Sequence, residues 1–378
     1  MVNVAEMMLS WSSERASPAH GLPAAAYTDD AFWKIECETM FTQNWVCSGF
    51  AHELAEPGDA MPVTVAGKPV LLLKNQKGEI AAFHNVCRHR CLKLVDEPVN
   101  VGTRISCPYH AWAYDLDGAL RSSPHFDGFK RHQPDGFDPA DHGLQPVRTA
   151  VWHDWIFVNL DGNAPSFEDY AAPLINRFAD IDFGRVQPVA TLDFGEIAAN
   201  WKFIMENFIE PYHVPIVHHT TTDQPLKDHY TIVDGVCLGS AVDLSEENAG
   251  ATGSLAVSSR FLTLFPNFII GRYFPDQLGA YLNVPLGPGR TAQKRVIYTT
   301  HGRKLRETEI EGLKKLWRGV HKEDHAICER LQLGRASPVA ESGGVLSPHW
   351  EDSVCAFQEL VVSVAMESIK REAGTLNV

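Results

Sequence analysis

The chain has 378 residues, 44% of them hydrophobic, which is enough for two domains with apolar cores. Its formal net charge of −14 argues against nucleic acid as a partner, because phosphate binding needs a concentrated basic face. No apolar run approaches the length of a membrane span, and the first residues lack the layout of a signal peptide. The eight cysteines form no regular framework, so we predict a reducing, cytoplasmic location.

The chain begins with a helical region, residues 1–45, in which Asp29 and Asp30 precede apolar side chains at helical spacing. From residue 46 to 165 short β-rich runs alternate with turn signals, which predicts a small all-β module. Its predicted elements are strands at Met61–Ala66, Pro69–Lys74 and Ile80–His84, a hairpin at Tyr114–Leu120 and a closing strand at Val151–Leu160.

Two short cysteine–histidine pairs lie on loops of this module, Cys87 with His89 and Cys107 with His110. A structural zinc site more often pairs Cys with Cys and His with His. A Rieske [2Fe–2S] cluster instead needs two cysteines on one iron and two histidines on the other. Each loop supplies one of each, so we predict a Rieske cluster and one-electron transfer. A zinc site and unrelated core cysteines are the alternatives.

Residues 166–378 have the pattern of an antiparallel sheet with helices against it, an α+β arrangement. A helix is predicted to begin at Asn200, and a charged amphipathic helix is predicted from Arg306 to Leu333. The predicted strands are Val189–Ala198, Leu255–Leu264, Asn267–Phe274, Gly279–Val284 and Arg295–Thr300.

The segment after Asn200 carries His213 and His218, and Pro215 between them disfavours one continuous helix through both. Two histidines brought together across a broken helix suit Fe(II), which a 2-His-1-carboxylate set holds with open positions for O2 and substrate. Glu210 precedes His213 by three residues, as a ligand or as an acceptor that orients the imidazole. Structural histidines are the alternative.

The third ligand is predicted on the late helix, where Asp324 falls within the apolar stripe. A carboxylate on a buried face is costly unless it is paired or binds a metal. Glu323 points about 100° away from Asp324, which makes Asp324 the better candidate. A rim position paired with Lys322 or Arg330 is the alternative. The stripe consists of Leu313, Trp317, Val320, Ile327 and Leu331.

Other polar residues are given weaker roles. His219 is expected to be exposed or to support a ligand, and four further histidines are interpreted as ordinary polar residues: His125, His153, His229 and His325. A basic group near the cysteine–histidine loops forms either a solvated face or a docking site for an acidic electron donor. It consists of Arg88, Arg90, Lys93 and Arg104.

These motifs, in this order, resemble the large (α) subunits of the Rieske non-haem iron oxygenases over nearly the whole chain. The matching patterns are C-x-H with C-P-Y-H, N-W-K with E-N-F-x-E-x-Y-H-x4-H, and E-D-x3-C-E-x2-Q from Glu323 to Gln332. The resemblance implies a Rieske β-domain at residues 46–165 and a helix-grip catalytic domain at residues 166–378, joined by residues 1–45. It implies that the cluster is bound by Cys87, His89, Cys107 and His110, and mononuclear Fe(II) by His213, His218 and Asp324. It also makes Glu210 and Asn207 catalytic residues.

The resemblance further implies a terminal oxygenase that acts on O2 and a small molecule. A ferredoxin or a flavin reductase would supply it with electrons from NAD(P)H. The family's usual assembly is a head-to-tail homotrimer, in which a cluster serves the iron of the neighbouring subunit through an acidic bridge at the position of Glu210. A zinc-stapled binding protein and a pure electron carrier are the competing classes.

Two departures from the family's pattern bear on substrate and loop structure. Ring-dihydroxylating members often have Asp where this chain has Glu210, which favours members that oxidise N-methylated compounds such as carnitine and betaines. We therefore predict monooxygenation with N- or O-dealkylation; aromatic cis-dihydroxylation is the alternative, and N-alkyl anilides remain possible substrates. Cys91 and Ala111 replace the family's glycines, which puts the packing of the two loops in question.

The expected substrate pocket is apolar, which suits an aromatic or N-alkyl compound. A quaternary ammonium group would be held by an aromatic cage of Tyr212, Phe265 and Tyr273. The other predicted lining residues are Phe203, Phe208, Ile209, Val214, Val217 and the stretch 261–273.

Overall fold

The structure is a computed structural model that describes residues 4–13, 19–221, 225–242, 259–274, 276–300 and 302–375. It divides into two compact units, one of residues 41–164 and one of residues 1–40 with 165–378. The first is built of β-strands and the second combines a sheet with helices, so the predicted α+β class is confirmed. Among the residues described, no helix has the length and hydropathy needed to cross a bilayer.

The strands of the first unit pair antiparallel in two sheets, a seven-stranded sheet ordered β1-β10-β9-β4-β3-β2-β5 and a three-stranded sheet β6-β7-β8. Their bounds are β1 Val46–Phe50, β2 Asp59–Val65, β3 Lys68–Lys74, β4 Ile80–His84, β5 Val99–Asn100, β6 Arg104–Ser106, β7 Ala113–Asp115, β8 Leu120–Ser122, β9 Pro146–Trp152 and β10 Trp155–Asn159. The three predicted strands correspond to β2, β3 and β4, and the predicted hairpin corresponds to β7 and β8.

The predicted closing strand at Val151–Leu160 is wrong. It is two strands, because β9 ends at Trp152, β10 begins at Trp155, and the two pair with each other. His153 makes the reversal with a φ of 56°. The turn residues are His153 and Asp154, and without glycine or proline the sequence gives only a weak turn signal.

The two cysteine–histidine loops share one backbone geometry. The fourth residue after each cysteine, Cys91 after Cys87 and Ala111 after Cys107, donates its N–H to that cysteine's carbonyl over 3.0 Å. Cys91 and Ala111 both have a φ of 56°, in the left-handed region that glycine adopts most readily. The departure from glycine therefore costs backbone strain at two matched positions.

We expect Ala111→Gly to raise the free energy of unfolding by about 0.5–1 kcal/mol. Glycine relieves the strain of the left-handed conformation, and this gain exceeds the loss from the greater entropy of glycine in the unfolded chain. Chemical denaturation followed by tryptophan fluorescence measures the change. Ala113→Gly is the matched control, because Ala113 is buried in β7 and its loss should destabilise the strand. A destabilised Ala111→Gly protein would contradict the strain argument.

The second unit is built on one seven-stranded antiparallel sheet ordered β11-β17-β16-β15-β14-β13-β12. Its strands are β11 Gln187–Ile197, β12 His229–Asp234, β13 Cys237–Val242, β14 Ser259–Leu264, β15 Phe268–Phe274, β16 Gln277–Gly287 and β17 Arg290–Thr299. The helices of the chain are α1 Val4–Ser13, α2 Ala25–Thr28, α3 Asp30–Glu38, α4 Met40–Gln43, α5 Phe167–Arg177, α6 Trp201–Ile209, α7 Val214–Val217, α8 Glu307–Gly334 and α9 Asp352–Thr375.

Capping residues start the helices that the sequence predicts. Asp29 accepts hydrogen bonds from the N–H groups of Ala31 and Phe32 and begins α3. Asn200 accepts from the N–H of Lys202 and begins α6. The predicted late helix is α8, and the predicted strands of this half lie in β11, β14, β15, β16 and β17. Residues 255–258 of one predicted strand lie outside the described residues, and no prediction covers α5, α9, β12 and β13.

A buried ion pair joins α3 to α6. Lys202 Nζ lies 2.5 Å from Glu36 Oε1, and the two side chains are 0% and 1% exposed. The ammonium also lies 5.0 Å from the ring centroid of Tyr27 and 5.2 Å from that of Phe32. The helix that leads to the two histidines is thereby held to the N-terminal part of the unit.

Candidate metal centres

The two cysteine–histidine loops present sulfur inward and nitrogen outward. Cys87 and Cys107 are 1% and 4% exposed, whereas His110 is exposed and His89 is half-buried. The imidazole centroids of His89 and His110 lie 4.7 Å apart. The four predicted residues are therefore divided as a Rieske cluster requires, with buried thiols on one side and paired imidazoles near the surface.

Tyr114 contacts this site, although the sequence placed it only in a hairpin. Its hydroxyl accepts the N–H of Arg88 over 2.9 Å and lies 3.3 Å from Cys87 Sγ. A thiolate at Cys87 would accept the hydroxyl proton, and burial raises the pKa of this phenol, so the phenol keeps that proton to donate. Hydrogen bonds to ligand sulfur help to set the potential of an iron–sulfur cluster.

Around the loops, the other predicted residues are at the surface. Cys91 is exposed, unlike Cys87 and Cys107. All four basic residues predicted as a possible docking site, Arg88, Arg90, Lys93 and Arg104, are exposed. Their role as a docking site stays a prediction.

His213, His218 and Asp324 meet in the second unit, each with a ligand atom within 4.8 Å of the others. The chain leaves α6 at Ile209, turns through His213, and forms the short helix α7, which ends at His218. Helix α8 supplies Asp324, whose Oδ1 is 2.9 Å from His218 Nε2 and 3.8 Å from His213 Nε2.

The donor set fits a divalent cation such as Fe(II). Asp324 Oδ1 is buried, and two imidazole nitrogens face it, His218 Nε2 at 2.9 Å and His213 Nε2 at 3.8 Å. Burial acts to lower the pKa of His218, but the carboxylates of Asp324 and Glu323 beside the ring outweigh it and raise the pKa to about 9. A cation would replace the proton that the two carboxylates otherwise attract to the imidazole.

A carboxylate holds the Nδ1 side of each imidazole. Glu210 Oε1 lies 2.5 Å from His213 Nδ1, and Glu323 Oε2 lies 2.8 Å from His218 Nδ1. The hydroxyl of Thr221 donates to Glu323 over 3.0 Å. Each Nε2 is left for a metal, which is the arrangement that orients histidine ligands in metalloproteins.

The angle of Glu323 on α8 gives no sign that this residue contacts His218. That angle does turn it away from Asp324. His218, however, approaches from the end of α7 and lies between the two carboxylates. Only the tertiary structure shows that two adjacent helix positions contact one imidazole from two sides.

We expect Glu323→Gln to weaken iron binding at the three-residue site about 10- to 100-fold, the usual cost of losing a partner of a histidine ligand. The loss of charge also removes a carboxylate that raises the basicity of His218. Metal titration of the apoprotein measures the affinity, and Glu311→Gln, an exposed glutamate on the same helix, is the control. Unchanged iron affinity would show that Glu323 does not support His218.

The buried face of α8 differs from the predicted stripe. Trp317, His321 and Cys328 are buried, whereas Leu331 is 42% exposed. The predicted stripe has Val320 and Ile327 where the structure buries the next residues, His321 and Cys328. Because neither is a large apolar residue, the apolar pattern does not mark them as buried. Asp324 still lies on the inner side of the helix, with its side chain 22% exposed.

A cavity of about 190 Å³ adjoins the three residues. Four aromatic rings on its wall contact one another in sequence. The centroids of Phe208 and Tyr281 are 5.5 Å apart, those of Phe208 and Phe261 are 6.4 Å apart, and those of Phe261 and Tyr273 are 5.3 Å apart. Asn207 and Glu210 also line the wall.

The predicted lining is therefore right in part. Phe208, Val214, Phe261 and Tyr273 line the cavity. Phe203 instead stacks on Tyr27 at 4.2 Å, and Ile209 is buried with its carbonyl bonded to Ser353. Val217 is not one of the described residues that line the cavity. In the predicted cage only Tyr273 is in place, because Tyr212 is 51% exposed and Phe265 packs on Phe357.

His229 is not an ordinary polar residue, as the sequence analysis had interpreted it. It is 6% exposed and lines the cavity, and neither ring nitrogen has a hydrogen-bond partner among the described residues. Burial lowers its pKa to about 4, so the ring is neutral at pH 7. His325 instead bonds Gln293 over 2.8 Å, and His219 is exposed.

Comparison with known proteins decides the family. Residues 44–133 match the Rieske [2Fe–2S] domain, and residues 183–367 match the catalytic domain of the ring hydroxylating alpha subunit. The chain belongs to the Rieske non-haem iron oxygenases. It is the oxygenase component, its cofactors are a Rieske cluster and a mononuclear iron, and it takes electrons from a ferredoxin or reductase partner.

Several characterised relatives are similar over most of this oxygenase. The choline monooxygenase of Spinacia oleracea is 27% identical over 87% of the chain and 75% of its own length. The glycine betaine monooxygenase oxygenase subunit of Chromohalobacter salexigens is 25% identical over 95% and 89%. The carnitine monooxygenase oxygenase subunit of Acinetobacter pittii is 29% identical over 55% of each.

Solved structures confirm the fold. The apo form of the quaternary ammonium Rieske monooxygenase CntA has a TM-score of 0.78 at 23% identity, covering 92% of this chain and 97% of that one. Naphthalene 1,2-dioxygenase from Rhodococcus sp. has a TM-score of 0.79 at 20% identity, covering 97% and 99%.

Proposed function

We propose that this oxygenase hydroxylates an N-methyl or N-alkyl carbon of a small quaternary ammonium compound. The hydroxylated carbon then leaves as an aldehyde, so the net reaction is N-dealkylation. The ring of aromatic side chains beside the three-residue metal site carries this proposal. The names of the choline, glycine betaine and carnitine monooxygenases, to which the chain is similar, support the substrate class.

The cavity wall suits a cation that lacks hydrogen-bond donors. The rings of Phe208 and Phe261 on this wall can attract a quaternary ammonium group through their quadrupoles. Asp324 and Glu210 place carboxylates on the same wall. An N-alkyl anilide would use the apolar surface of the cavity but would gain nothing from this charge pattern.

We propose that His213, His218 and Asp324 hold the mononuclear iron and that Cys87, His89, Cys107 and His110 hold the cluster. Bound there, the iron would activate O2 and the cluster would supply single electrons. Glu210 and Glu323 keep the two Nε2 atoms directed at the metal position. Asn207 lies on the cavity wall, where its amide can orient substrate.

We also propose a homotrimer in which Glu210 forms the bridge for electron transfer from one subunit's cluster to its neighbour's iron. The contact of Glu210 with His213 supports the bridge, because it puts a carboxylate on the outer side of a ligand imidazole. For CntA, inter-subunit electron transfer has been described. An acidic electron donor would dock on the exposed basic residues near the cluster, Arg88, Arg90, Lys93 and Arg104.

We propose a cytoplasmic location, with which the free cysteines are consistent.

Glu210→Gln is expected to keep a reducible cluster and to lose most turnover. The uncharged amide is a weaker acceptor for His213 Nδ1 and removes the proposed bridge. Stopped-flow absorbance follows cluster oxidation, and metal analysis reports the iron content separately. Full iron content with slow cluster oxidation supports the bridge, whereas unchanged coupled product formation refutes it.

Product analysis tests the substrate class. Protein loaded with cluster and Fe(II) is supplied with NADH and a surrogate reductase, then given choline, glycine betaine, carnitine, an N-methyl anilide and naphthalene. Mass spectrometry and a formaldehyde assay should detect demethylated product from a quaternary ammonium compound. A cis-diol from the aromatic substrate alone would establish dihydroxylation instead. A colourless sample that contains only zinc would exclude the oxygenase proposal.

A further inference from the structure

We propose that Tyr273 and Tyr281, with the guanidinium of Arg295 behind them, form an anion subsite that binds the carboxylate of a zwitterionic substrate. This inference rests on the proposed function and narrows it, because it selects a betaine-like acid over a quaternary amino alcohol. The observations that carry it are two glycines that make room for Tyr273 and Arg295 and, among the described residues, a buried guanidinium with no carboxylate partner and a phenol proton with no acceptor.

Arg295 is a buried cation that has no carboxylate partner in the described part of the chain. Its side chain is 0% exposed, and Nε and Nη2 have no hydrogen-bond partner among the described residues. No carboxylate of those residues lies within ion-pair distance of it. Its Cζ lies 3.4 Å from the ring centroid of Trp317, 4.6 Å from Tyr273 and 4.8 Å from Tyr281. The rings offset part of the desolvation cost, and an anion nearby would offset more.

Two facing glycines leave space for these side chains on the cavity side of the sheet. Gly271 on β15 pairs with Gly279 on β16. A Cβ on Gly279 would lie 2.5 Å from Arg295 Nη2, and a Cβ on Gly271 would lie 2.5 Å from Cζ of Tyr273. The two glycines therefore let the guanidinium of Arg295 and the ring of Tyr273 pack directly against the backbone of the sheet.

The hydroxyl groups of Tyr273 and Tyr281 have two protons, and the hydrogen bond between them needs only one. The oxygens of Tyr273 and Tyr281 are 2.6 Å apart, and Arg295 Nη1 donates to the oxygen of Tyr281. A guanidinium cannot accept, so only one of the two hydroxyl protons is used in the bond between the phenols. The other has no acceptor among the described residues. Both phenols line the cavity, so a ligand there can accept it.

Electrostatics favour an anionic acceptor at this point. Burial raises the pKa of both phenols, so each remains a donor at neutral pH. The guanidinium polarises the pair from behind and makes its free proton a stronger donor. His229, whose ring nitrogens have no partner among the described residues, lies on the same cavity wall and can donate or accept beside the subsite. The carboxylates of the metal site would attract the cationic end of the same substrate.

The first experiment is a specificity measurement on the loaded oxygenase. Tyr273→Phe removes the hydroxyl and keeps the ring, so the ratio of kcat/KM for glycine betaine to kcat/KM for choline should fall about 10- to 100-fold. Tyr281→Phe should lower the ratio in the same direction. Tyr230→Phe is the matched control, because Tyr230 follows His229 on β12 and faces the opposite side of the sheet. An unchanged ratio in both cavity variants would overturn the subsite.

A binding measurement separates this inference from the proposed function. Titration calorimetry compares tert-butylacetate, the uncharged-carbon analogue of glycine betaine, with the matching alcohol, tert-butylethanol. Only the acid should lose affinity in Tyr273→Phe and Tyr281→Phe, and thermal unfolding checks that each variant is folded. If the wild type oxidises no quaternary ammonium compound but this dependence holds, the proposed function fails and the anion subsite stands. Equal losses for acid and alcohol, or none for the acid, would refute the subsite.

Discussion

Asp324→Ala should abolish product formation, with a loss of about 1,000-fold or more, while the Rieske cluster remains reducible. Of the three side chains proposed to hold the iron, Asp324 supplies the one carboxylate. Without it, two imidazoles remain and the neutralising charge is lost. Cys87 and Cys107 belong to the other unit, so the chemistry of the cluster proposed there should be unaffected.

Two measurements separate the centres in this variant. Metal analysis should show the loss of one iron per chain, and EPR of the reduced protein should show an unaltered Rieske signal. Glu311→Ala is the control, because Glu311 is an exposed carboxylate on the same helix. If Asp324→Ala retained full function and the wild type contained no mononuclear iron, the chain would be an electron carrier instead of an oxygenase.

Lys202→Met should lower the free energy of unfolding by about 3–5 kcal/mol, the cost of leaving one member of a buried ion pair alone. Lys202 and Glu36 are almost fully buried and lie 2.5 Å apart. Burial already raises the pKa of Glu36, while Lys202 acts against that shift. Once Lys202 is gone, Glu36 must either stay charged without a partner or bind a proton on folding.

Denaturant unfolding at several pH values measures the effect and its cause. Because the pKa of Glu36 would be raised above its unfolded value, the variant should lose more stability as the pH rises. Lys34→Met, at an exposed position on α3, is the control for the loss of a lysine. The double variant Lys202→Met with Glu36→Leu should recover most of the loss, since a matched apolar pair carries no desolvation cost. A double variant no more stable than Lys202→Met would contradict this account.

Short sequence motifs predicted much of both candidate centres. Cys87 and His89 are two residues apart, as the ligand pairs of a Rieske loop require, and the structure places the thiols inside and the imidazoles near the surface. His213 and His218 are joined by only four residues, so local chain geometry confines their separation. Asp324 was found from a different signal, a carboxylate in an apolar stripe, and it is brought to both histidines.

The sequence could not show contacts made across strands and between helices. Tyr281 and Arg295 are adjacent only because β16 and β17 pair in one register, and a shift of one residue would put them on opposite faces. Glu323 reaches His218 only because α7 ends against α8. His229 lies on β12, a strand that the pattern did not predict, so its place on the cavity wall was hidden.

By itself, the sequence determined the family, the two-centre chemistry and the α+β class, because metal ligation is encoded in residue type and short spacing. The tertiary structure decided which groups surround those centres: the carboxylates behind each imidazole, the aromatic wall and the buried guanidinium. Those neighbours are far apart along the chain and depend on strand register and helix packing. The order of residues in a motif cannot specify either.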